Sequence, residues 1–179
     1  MKMKRGHFAW RILPLALAVQ AAYAQNNSAE KSQAAQEVVI TGADLKKPDG
    51  GLKLLPVPIS TPGFDVGPYA AAANWVTKDP DSGWINVGNY RGQVKSRDRI
   101  GVFIGPRKHA WKHWDAAKEK GKPWIEAALV IGGPPGLTYL SGSRVPFGVE
   151  EYAAAGALIG EPLELVRCKT VDLLVPAHA

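Results

Sequence analysis

Glycine and proline are so frequent along this chain that its helices and strands can only be short. The sequence has 19 glycines and 14 prolines among its 179 residues, and both residue types favour turns over the interior of regular elements. A chain of this length has room for about one domain. The pattern therefore predicts a single small domain in which many short elements are joined by turns.

The first 24 residues have the three-part form of a secretory leader. A basic start over residues 1–11 precedes the apolar run 12–19, and Ala22-Tyr-Ala24 supplies small residues before a cut at Gln25. The apolar run is shorter than the ~20 residues of a spanning helix, so we expect no transmembrane segment in the mature chain. The leader indicates a periplasmic or secreted protein. The alternative is an amphipathic or spurious extension from a rearranged gene.

The net charge of +6 raises the question of nucleic-acid binding. Four of the positive charges belong to the leader, which has no acidic residue, and the rest of the chain carries +2 with its basic and acidic residues interleaved. A surface that follows a phosphate backbone needs a clustered basic patch. The sequence therefore argues against a nucleic-acid partner.

Cys168 is the only cysteine, which excludes an internal disulfide.

A polar linker at 25–37 precedes the segment 38–179, whose residue pattern is that of a mixed α and β domain with mostly antiparallel strands. Strands are predicted at 38–41, 68–78, 85–95, 100–104, 125–131 and 163–175. Helices are predicted at 109–121 and 150–159, with a hairpin turn at 78–83, a turn at 132–136, and a loop over 42–67 that contains an extended segment at 52–58.

The segment Asn86-Val-Gly-Asn-Tyr-Arg91 carries an amide and a guanidinium on one predicted strand. Residues five apart face opposite sides of a regular strand, and Gly88 offers the position for a bulge that would change this. An asparagine oxygen suits a hard cation, and the arginine fork suits a carboxylate or phosphate. Such pairs are also common on the surface of ordinary strands.

His109 and His113 lie four residues apart on the predicted helix 109–121, which is the spacing of a metal-binding pair. The glutamate of the zinc-protease motif is absent between them. The alternative for His113 is a solvated helical face with tryptophans packed beneath it. His109 follows Arg107 and Lys108 at the start of the helix, which makes it the better candidate ligand.

Other candidate positions have ordinary structural explanations. Glu150 and Glu151 open the predicted helix 150–159, where the helix dipole favours acidic residues without any ligand. The turn at 132–136 is open to close approach by a ligand or is a plain turn, and Ser141-Gly-Ser143-Arg144 is a candidate phosphate contact. No G-x-S-x-G, CxxC, Walker or GxGxxG motif is present, which argues against the corresponding hydrolases, zinc ribbons and nucleotide folds.

Taken in order, short segments from about residue 38 to the C-terminus resemble the UbiD family of decarboxylases, which use prenylated flavin mononucleotide. The resemblance is carried by Val38-Val-Ile-Thr-Gly-Ala-Asp44, Leu55-Pro-Val-Pro58, Gly67-Pro-Tyr69, Thr77-Lys-Asp-Pro80, Asn86-Val-Gly-Asn-Tyr-Arg91, Val145-Pro146, Glu151-Tyr152, Gly156-Ala-Leu-Ile-Gly160 and Val166-Arg-Cys-Lys-Thr-Val-Asp-Leu-Leu-Val-Pro176. It implies an α+β fold with the split β-barrel flavin-binding core of that family and a few short helices. The implied reaction is the non-oxidative decarboxylation of an aromatic or α,β-unsaturated carboxylic acid.

The resemblance also implies roles for individual residues. Asn86 and Glu151 match metal ligands, and His109 matches a histidine that links to metal or phosphate. The metal is Mn²⁺ in this family, often with K⁺, and a flavin prenyltransferase supplies the cofactor. Arg91 matches the active-site arginine that holds the substrate carboxylate. The implied cofactor contacts are Gly88, Asn89, Tyr90, Arg91, Lys108 and His109.

The chain departs from the family pattern at both ends. Family members have an N-terminal domain where the leader and linker stand here, and their acidic proton-transfer segment is expected shortly after Pro176, close to the last residue, Ala179. We therefore expect a core truncated at its C-terminus, either an incomplete enzyme or one that a second polypeptide completes. The alternatives are a non-catalytic flavin- and metal-binding remnant or an exported binding module. A leader also conflicts with a cofactor that is made and loaded in the cytoplasm.

Overall fold

The computed structural model describes residues 48–179, which form a mixed α and β domain. The predicted leader at 1–24, the linker at 25–37 and the strand at 38–41 lie outside the described residues. The strands are Tyr69–Ala70 (β1), Asn74–Lys78 (β2), Ile85–Asn89 (β3), Gly92–Val94 (β4), Ile100–Val102 (β5), Ala127–Val130 (β6), Leu165–Arg167 (β7) and Leu174–Pro176 (β8). The helices are His109–Glu119 (α1), Pro135–Gly142 (α2) and Glu151–Ile159 (α3), with a short 3₁₀ helix at Leu52–Leu54. The predicted α+β class is confirmed.

The strands of the described region pair in antiparallel fashion and form three small sheets. Their strand orders are β1-β4-β5, β3-β2-β6 and β7-β8. Within residues 48–179 these pairings form no closed barrel, so the split-barrel detail implied by the resemblance stays a prediction. None of the helices in this region is long and apolar enough to cross a membrane.

A tight turn joins β2 to β3 and sets their register. The Asp79 carboxylate accepts hydrogen bonds from the backbone N–H groups of Asp81 and Ser82, at 2.7 and 3.0 Å. Gly83 has a φ of 74°, a left-handed conformation that glycine adopts at little steric cost. The turn predicted at 78–83 is confirmed, and it closes a hairpin that forms part of the central sheet.

The β3-β2-β6 sheet is covered by helices on both faces. On one face Val76 and Val87 lie opposite each other and pack with residues of α2 and α3, among them Leu137 and Tyr152. Neighbouring residues of a strand point to opposite faces, so Thr77 lies on the other face, where α1 packs. This sandwich buries the side chains of both faces and leaves β3 as one edge of the sheet.

The strand predicted at 85–95 is two strands, β3 and β4, which belong to different sheets. The chain changes sheets at Tyr90 and Arg91, and the pairing of β3 with β2 is unbroken at Gly88. The predicted bulge at Gly88 is therefore wrong. Glycine has another reason to stand there, since a Cβ on Gly88 would lie 2.4 Å from the ring of Tyr90. Its missing side chain lets the tyrosine fold back over the strand.

The strand predicted at 163–175 is a hairpin of β7 and β8. The backbone N–H of Cys168 donates to the Leu173 carbonyl at 2.9 Å and closes the turn between them. The segment contains neither glycine nor proline at this turn, so the sequence carried no local signal for it.

Helix α2 begins inside the turn predicted at 132–136. Proline is tolerated in the first turn of a helix, where its missing N–H would have no helical partner. Leu137 then lies fully buried against the sheet. The proline and glycine residues that predicted a plain turn therefore open a short helix, and burial of Leu137 anchors that helix to the domain.

His113 projects from α1 towards the sheet and has no exposed surface. Its Nδ1 atom lies 3.0 Å from the Thr77 hydroxyl, and its ring packs edge to face with Trp84. Burial lowers the pKa of His113 to about 4, although the nearby Asp79 carboxylate opposes the shift. The interpretation of His113 as part of a solvated helical face is therefore wrong, and the folded protein holds it as a neutral imidazole.

We expect the acid sensitivity of the fold to depend on His113. The unfolded chain binds a proton on this residue near the ordinary pKa of 6.5, whereas the folded protein does so only near pH 4. Stability is therefore complete above pH 6.5 and is lost as the pH falls from 6.5 towards 4, by roughly 3 kcal/mol in all. The variant His113→Gln should flatten this loss when the free energy of unfolding is measured by urea denaturation between pH 7 and 4.5.

The matched control is His178→Gln, because the His178 side chain is 83% exposed. It should keep the wild-type dependence of stability on pH. An equally steep acid loss in His113→Gln would show that other groups cause it.

Candidate functional site

A cavity of about 400 Å³ lies beside the edge strand β3 and brings together most of the predicted site residues. Its lining comes from β3, the first turn of α1, the end of α2 with the residues after it, and the start of α3. The predicted residues that line it are Asn86, Gly88, Asn89, Tyr90, Lys108, His109 and Glu151. Three segments distant in sequence therefore meet at one place.

Two neighbouring carboxylates attach the start of α3 to the free edge of β3. The backbone N–H of Val87 donates to Glu151 Oε2 at 3.0 Å, and that of Ile85 donates to Glu150 Oε1 at 3.4 Å. In an antiparallel pair every second residue turns its N–H away from its partner strand, so these two donors would otherwise lack partners. The acidic start of α3 therefore satisfies the sheet edge and brings Glu151 to the cavity.

Glu151 is a buried carboxyl group with one oxygen left for the cavity. The residue is 4% exposed, and its Oε1 atom lies 3.9 Å from His109 Nδ1. Burial raises the pKa of Glu151, although the hydrogen bond from the Val87 backbone opposes the shift. A charged carboxylate is costly in such a place unless a cation lies beside it.

His109 lies at the first position of α1 and faces Glu151 across the cavity. Burial lowers the pKa of its imidazole, and the positive charges of Lys112 and Lys108 lower it further. The ring packs against Trp84 at a centroid distance of 5.0 Å, which limits its rotation. The lowered pKa of His109 and the raised pKa of Glu151 both disfavour a charged pair, and the two groups, 3.9 Å apart, can each bind a metal.

Asn86 completes a group of three oxygen and nitrogen donors at the cavity wall. It is 2% exposed, and its Nδ2 atom donates to the Thr77 hydroxyl at 3.5 Å. No group of three or more His, Cys, Asp or Glu side chains suited to a metal occurs among the described residues. The side chains at this cavity that could hold a metal are Asn86, through its amide oxygen, His109 and Glu151.

Another part of the cavity lining, here called its basic wall, carries positive charge. Arg107, Lys108 and Arg144 line it, together with Ser143. The first turn of α1 adds the positive end of its dipole, and no side chain caps this helix end. Backbone N–H groups at a helix start, combined with arginine and lysine, make a site for phosphate. The segment 141–144, which the sequence marked as a candidate phosphate contact, is thus at the cavity.

Sequence reasoning missed Arg107 as a site residue. Its signal was its position directly before Lys108 and His109, where a basic side chain lies close to the helix start. A basic residue before a helix is also common on ordinary surfaces, so the sequence alone does not single it out. The convergence of α1 with the end of α2 is what makes Arg107 part of a basic wall.

Tyr90 forms a buried side of the cavity and is 8% exposed. Burial raises the pKa of its hydroxyl, although the nearby Asn86 side chain and Ala110 backbone oppose the shift. The indole N–H of Trp75 donates to the Tyr90 carbonyl at 2.8 Å. Trp75 therefore holds the backbone of Tyr90 at the point where the chain leaves β3.

Arg91 does not join the residues that line this cavity. Its side chain is exposed, and the Cζ atom lies 4.7 Å from the centre of the Tyr69 ring, a cation–π contact. The two ends of the Asn86-to-Arg91 segment are thus separated, because the chain leaves β3 at Tyr90 and enters another sheet at Gly92. The catalytic role assigned to Arg91 stays a prediction.

The comparisons with known proteins agree on one family. The UbiD family model, described as the 3-octaprenyl-4-hydroxybenzoate carboxy-lyase Rift-related domain, matches residues 27–179. An uncharacterized protein of Aquifex aeolicus is 41% identical over 144 residues, which are 80% of this chain and 28% of that protein. An uncharacterized protein of Archaeoglobus fulgidus is 38% identical over 115 residues, which are 64% of this chain and 24% of that protein.

Solved structures of UbiD-class enzymes have the same fold. The UbiD-class enzyme HmfF from Pelotomaculum thermopropionicum, in an evolved dimeric form in complex with prFMN, matches with a TM-score of 0.66 and 42% identity over 76% of this chain and 32% of its own. The vanillic acid decarboxylase of Sedimentibacter hydroxybenzoicus in closed form matches with a TM-score of 0.59 and 35% identity, over 63% of this chain and 25% of its own. The apo 3,4-dihydroxybenzoic acid decarboxylase of Klebsiella pneumoniae matches with a TM-score of 0.63 and 29% identity, over 75% and 28%.

The chain spans about a quarter to a third of the length of these relatives. The part that matches includes every element of the cavity wall, from β3 to the start of α3. The family model covers well over half of the chain, and it agrees with structural matches that exceed 40% identity. This chain therefore belongs to the UbiD family.

Proposed function

We propose that this chain forms the flavin- and metal-binding core of a UbiD-class decarboxylase that acts on an aromatic or α,β-unsaturated carboxylic acid. The observation that carries the proposal is the cavity beside β3, whose lining combines Asn86, His109 and Glu151 with the basic wall. A carboxylate donor near a phosphate-binding surface suits a cation that bridges protein and phosphate. The activity of the whole protein is part of this proposal, because the chain spans only part of its relatives.

The three donors fit a divalent metal such as Mn²⁺, with K⁺ as a companion in this family. Carboxylate, amide oxygen and neutral imidazole are ligands that Mn²⁺ accepts. Two ligands each about 2.1 Å from one ion lie at most about 4.2 Å apart, and His109 Nδ1 and Glu151 Oε1 are 3.9 Å apart. A cation would also relieve the cost of burying the Glu151 charge, which the raised pKa of that residue reflects.

The basic wall fits the phosphate of a flavin mononucleotide. Arg144, Lys108 and the first turn of α1 would bind the phosphate, while Gly88, Asn89 and Tyr90 would border the rest of the cofactor. Related UbiD-class enzymes were solved with prFMN and with FMN, which supports this assignment. Prenylated flavin, supplied by a flavin prenyltransferase, provides an electron sink for the loss of carbon dioxide.

The substrate class is proposed from relatives and from Arg91. Two structural relatives are decarboxylases of vanillic acid and of 3,4-dihydroxybenzoic acid, both aromatic acids. Arg91 follows the cavity strand directly, and its guanidinium suits a bidentate contact with a carboxylate. In this proposal Arg91 leaves Tyr69 to hold the substrate carboxylate beside the cofactor.

A second candidate is a flavin- and metal-binding module without turnover. The observation that favours it is the position of Arg91, which is exposed against Tyr69 rather than in the cavity. Such a module would bind the cofactor and the metal through the same residues. It differs from the decarboxylase in one measurable property, the release of carbon dioxide.

We expect the protein to acquire a flavin chromophore at a ratio of one per chain when it is produced together with a flavin prenyltransferase. The variant Arg144→Ala should weaken FMN binding roughly ten- to hundredfold, because one charge-assisted hydrogen bond contributes about 1.5–3 kcal/mol. Fluorescence titration with FMN measures the affinity. The control is Lys122→Ala, an exposed basic residue outside the cavity wall. A folded wild type without bound flavin would overturn the proposed function.

We expect Glu151→Gln to weaken Mn²⁺ binding at least about tenfold, because even outer partners of metal ligands cost 10–100-fold when they are lost. Glu150→Gln is the matched control. The Glu150 carboxylate is next to Glu151 in the sequence, and among the described hydrogen bonds it accepts only from the backbone of Ile85. The electron paramagnetic resonance signal of free Mn²⁺ gives both affinities. Equal affinities in the two variants would exclude Glu151 as a ligand.

We expect Arg91→Ala to keep the chromophore and lose carbon dioxide release from aromatic acids, because the arginine would hold the substrate and not the cofactor. The measurement combines the absorbance of the bound flavin with gas release from a panel of aromatic and α,β-unsaturated acids. The control Arg167→Ala removes an exposed arginine that pairs with Asp172. If the loaded wild type releases carbon dioxide from none of the acids, the binding module becomes the function that remains.

A further inference from the structure

Asn86 and two polar side chains behind it, which come from three different elements, form a buried row of contacts. Asn86 of β3 and Thr77 of β2 are each 2% exposed, and His113 of α1 is 0% exposed. Of these three, only Asn86 lines the cavity. Polar side chains are costly to bury unless they hydrogen-bond to one another. The proposed metal and flavin contacts do not explain why Thr77 and His113 are buried at this place.

Two hydrogen bonds through Thr77 connect the three side chains. Thr77 lies directly opposite Asn86 in the β2–β3 pairing. The Thr77 hydroxyl accepts from Asn86 Nδ2 at 3.5 Å and lies 3.0 Å from His113 Nδ1. The second ring nitrogen of His113, Nε2, is buried without a hydrogen-bond partner among the described residues. The Thr77 hydroxyl is therefore the polar anchor of the His113 ring.

The direction of these bonds decides which atom of the Asn86 amide faces the cavity. A threonine hydroxyl has one hydrogen. When Thr77 donates that hydrogen to His113 Nδ1, only its lone pairs face Asn86, and only the NH₂ end of the amide can bond to lone pairs. Asn86 is the one member of the three that lines the cavity. The amide oxygen is then left for the cavity.

We propose that Thr77, anchored by His113, is a positioning residue that fixes the Asn86 amide with its oxygen towards the cavity. The inference rests on the proposed function, because the orientation has a consequence only if the cavity holds a cation. An amide turned the other way would present hydrogens to the cation and repel it. Outer partners of metal ligands act in this way, by fixing the orientation of the ligand before the metal arrives.

The test compares two substitutions of Thr77 with a matched threonine elsewhere. Thr77→Val has a similar shape without the hydroxyl and should weaken Mn²⁺ binding about 10–100-fold, whereas Thr77→Ser should stay near wild type. Thr138→Val is the control, since its hydroxyl accepts a 3.1 Å bond from the buried amide of Asn74, on the other side of the sheet. It should leave Mn²⁺ binding unchanged. Titrations are made by electron paramagnetic resonance with and without FMN.

A second measurement does not depend on the metal. In nitrogen-15 spectra of the metal-free protein, the side-chain NH₂ pair of Asn86, identified by its absence in Asn86→Asp, should exchange slowly with solvent. Thr77→Val, or Thr77→Ala if the valine variant does not fold, should speed that exchange and shift the pair, and Thr77→Ser should restore it. An unchanged pair in the variants lacking the hydroxyl would overturn the inference.

The two measurements separate the inference from the proposed function. If the wild type binds no Mn²⁺ with or without FMN, the proposed function fails, and the NH₂ resonances still decide the orientation of Asn86. If the wild type binds Mn²⁺ and Thr77→Val binds it equally well, the positioning role is overturned while the metal site stands.

Discussion

The bond between the Glu151 carboxylate and the backbone N–H of Val87 is the contact on which the cavity depends. It joins the start of α3 to the open edge of β3, two elements that are 64 residues apart in sequence. One oxygen of the carboxylate satisfies the sheet edge, and the other faces His109 across 3.9 Å. The Glu151 side chain thus joins α3 to β3 through one oxygen and faces the cavity with the other.

The cavity lining brings together groups of both charge signs, each of which would be costly to bury alone. A buried carboxyl with a raised pKa lines it together with arginine, lysine and the start of α1. Burial lowers the pKa of both histidines of α1, which favours their neutral forms. A phosphate and a cation together would balance the two kinds of charge.

Several parts of this arrangement were readable from the sequence because they depend on local chemistry. The turn at 78–83 follows from Asp79 and Gly83, and the α3 helix follows from its acidic start and Gly160, which ends it in a left-handed conformation. The hairpin of β7 and β8 and the helix at Pro135 were not readable. The turn between β7 and β8 contains neither glycine nor proline. Helix α2 exists because Leu137 is buried against a sheet built from distant strands.

The sequence by itself determined the family and predicted the metal donors, because short motifs such as Asn86-to-Arg91 and Glu151-Tyr152 can be recognised in the sequence without knowledge of their spatial neighbours. Tertiary structure alone decided which of these residues meet. Packing of α1 and α3 around β3 gathers Asn86, His109 and Glu151, whereas the change of sheet after Tyr90 sends Arg91 to Tyr69. It also decided that His113 is buried behind Asn86 and not exposed on a helix face. Contacts between distant segments depend on which faces are buried together, and residue spacing along the chain does not specify that.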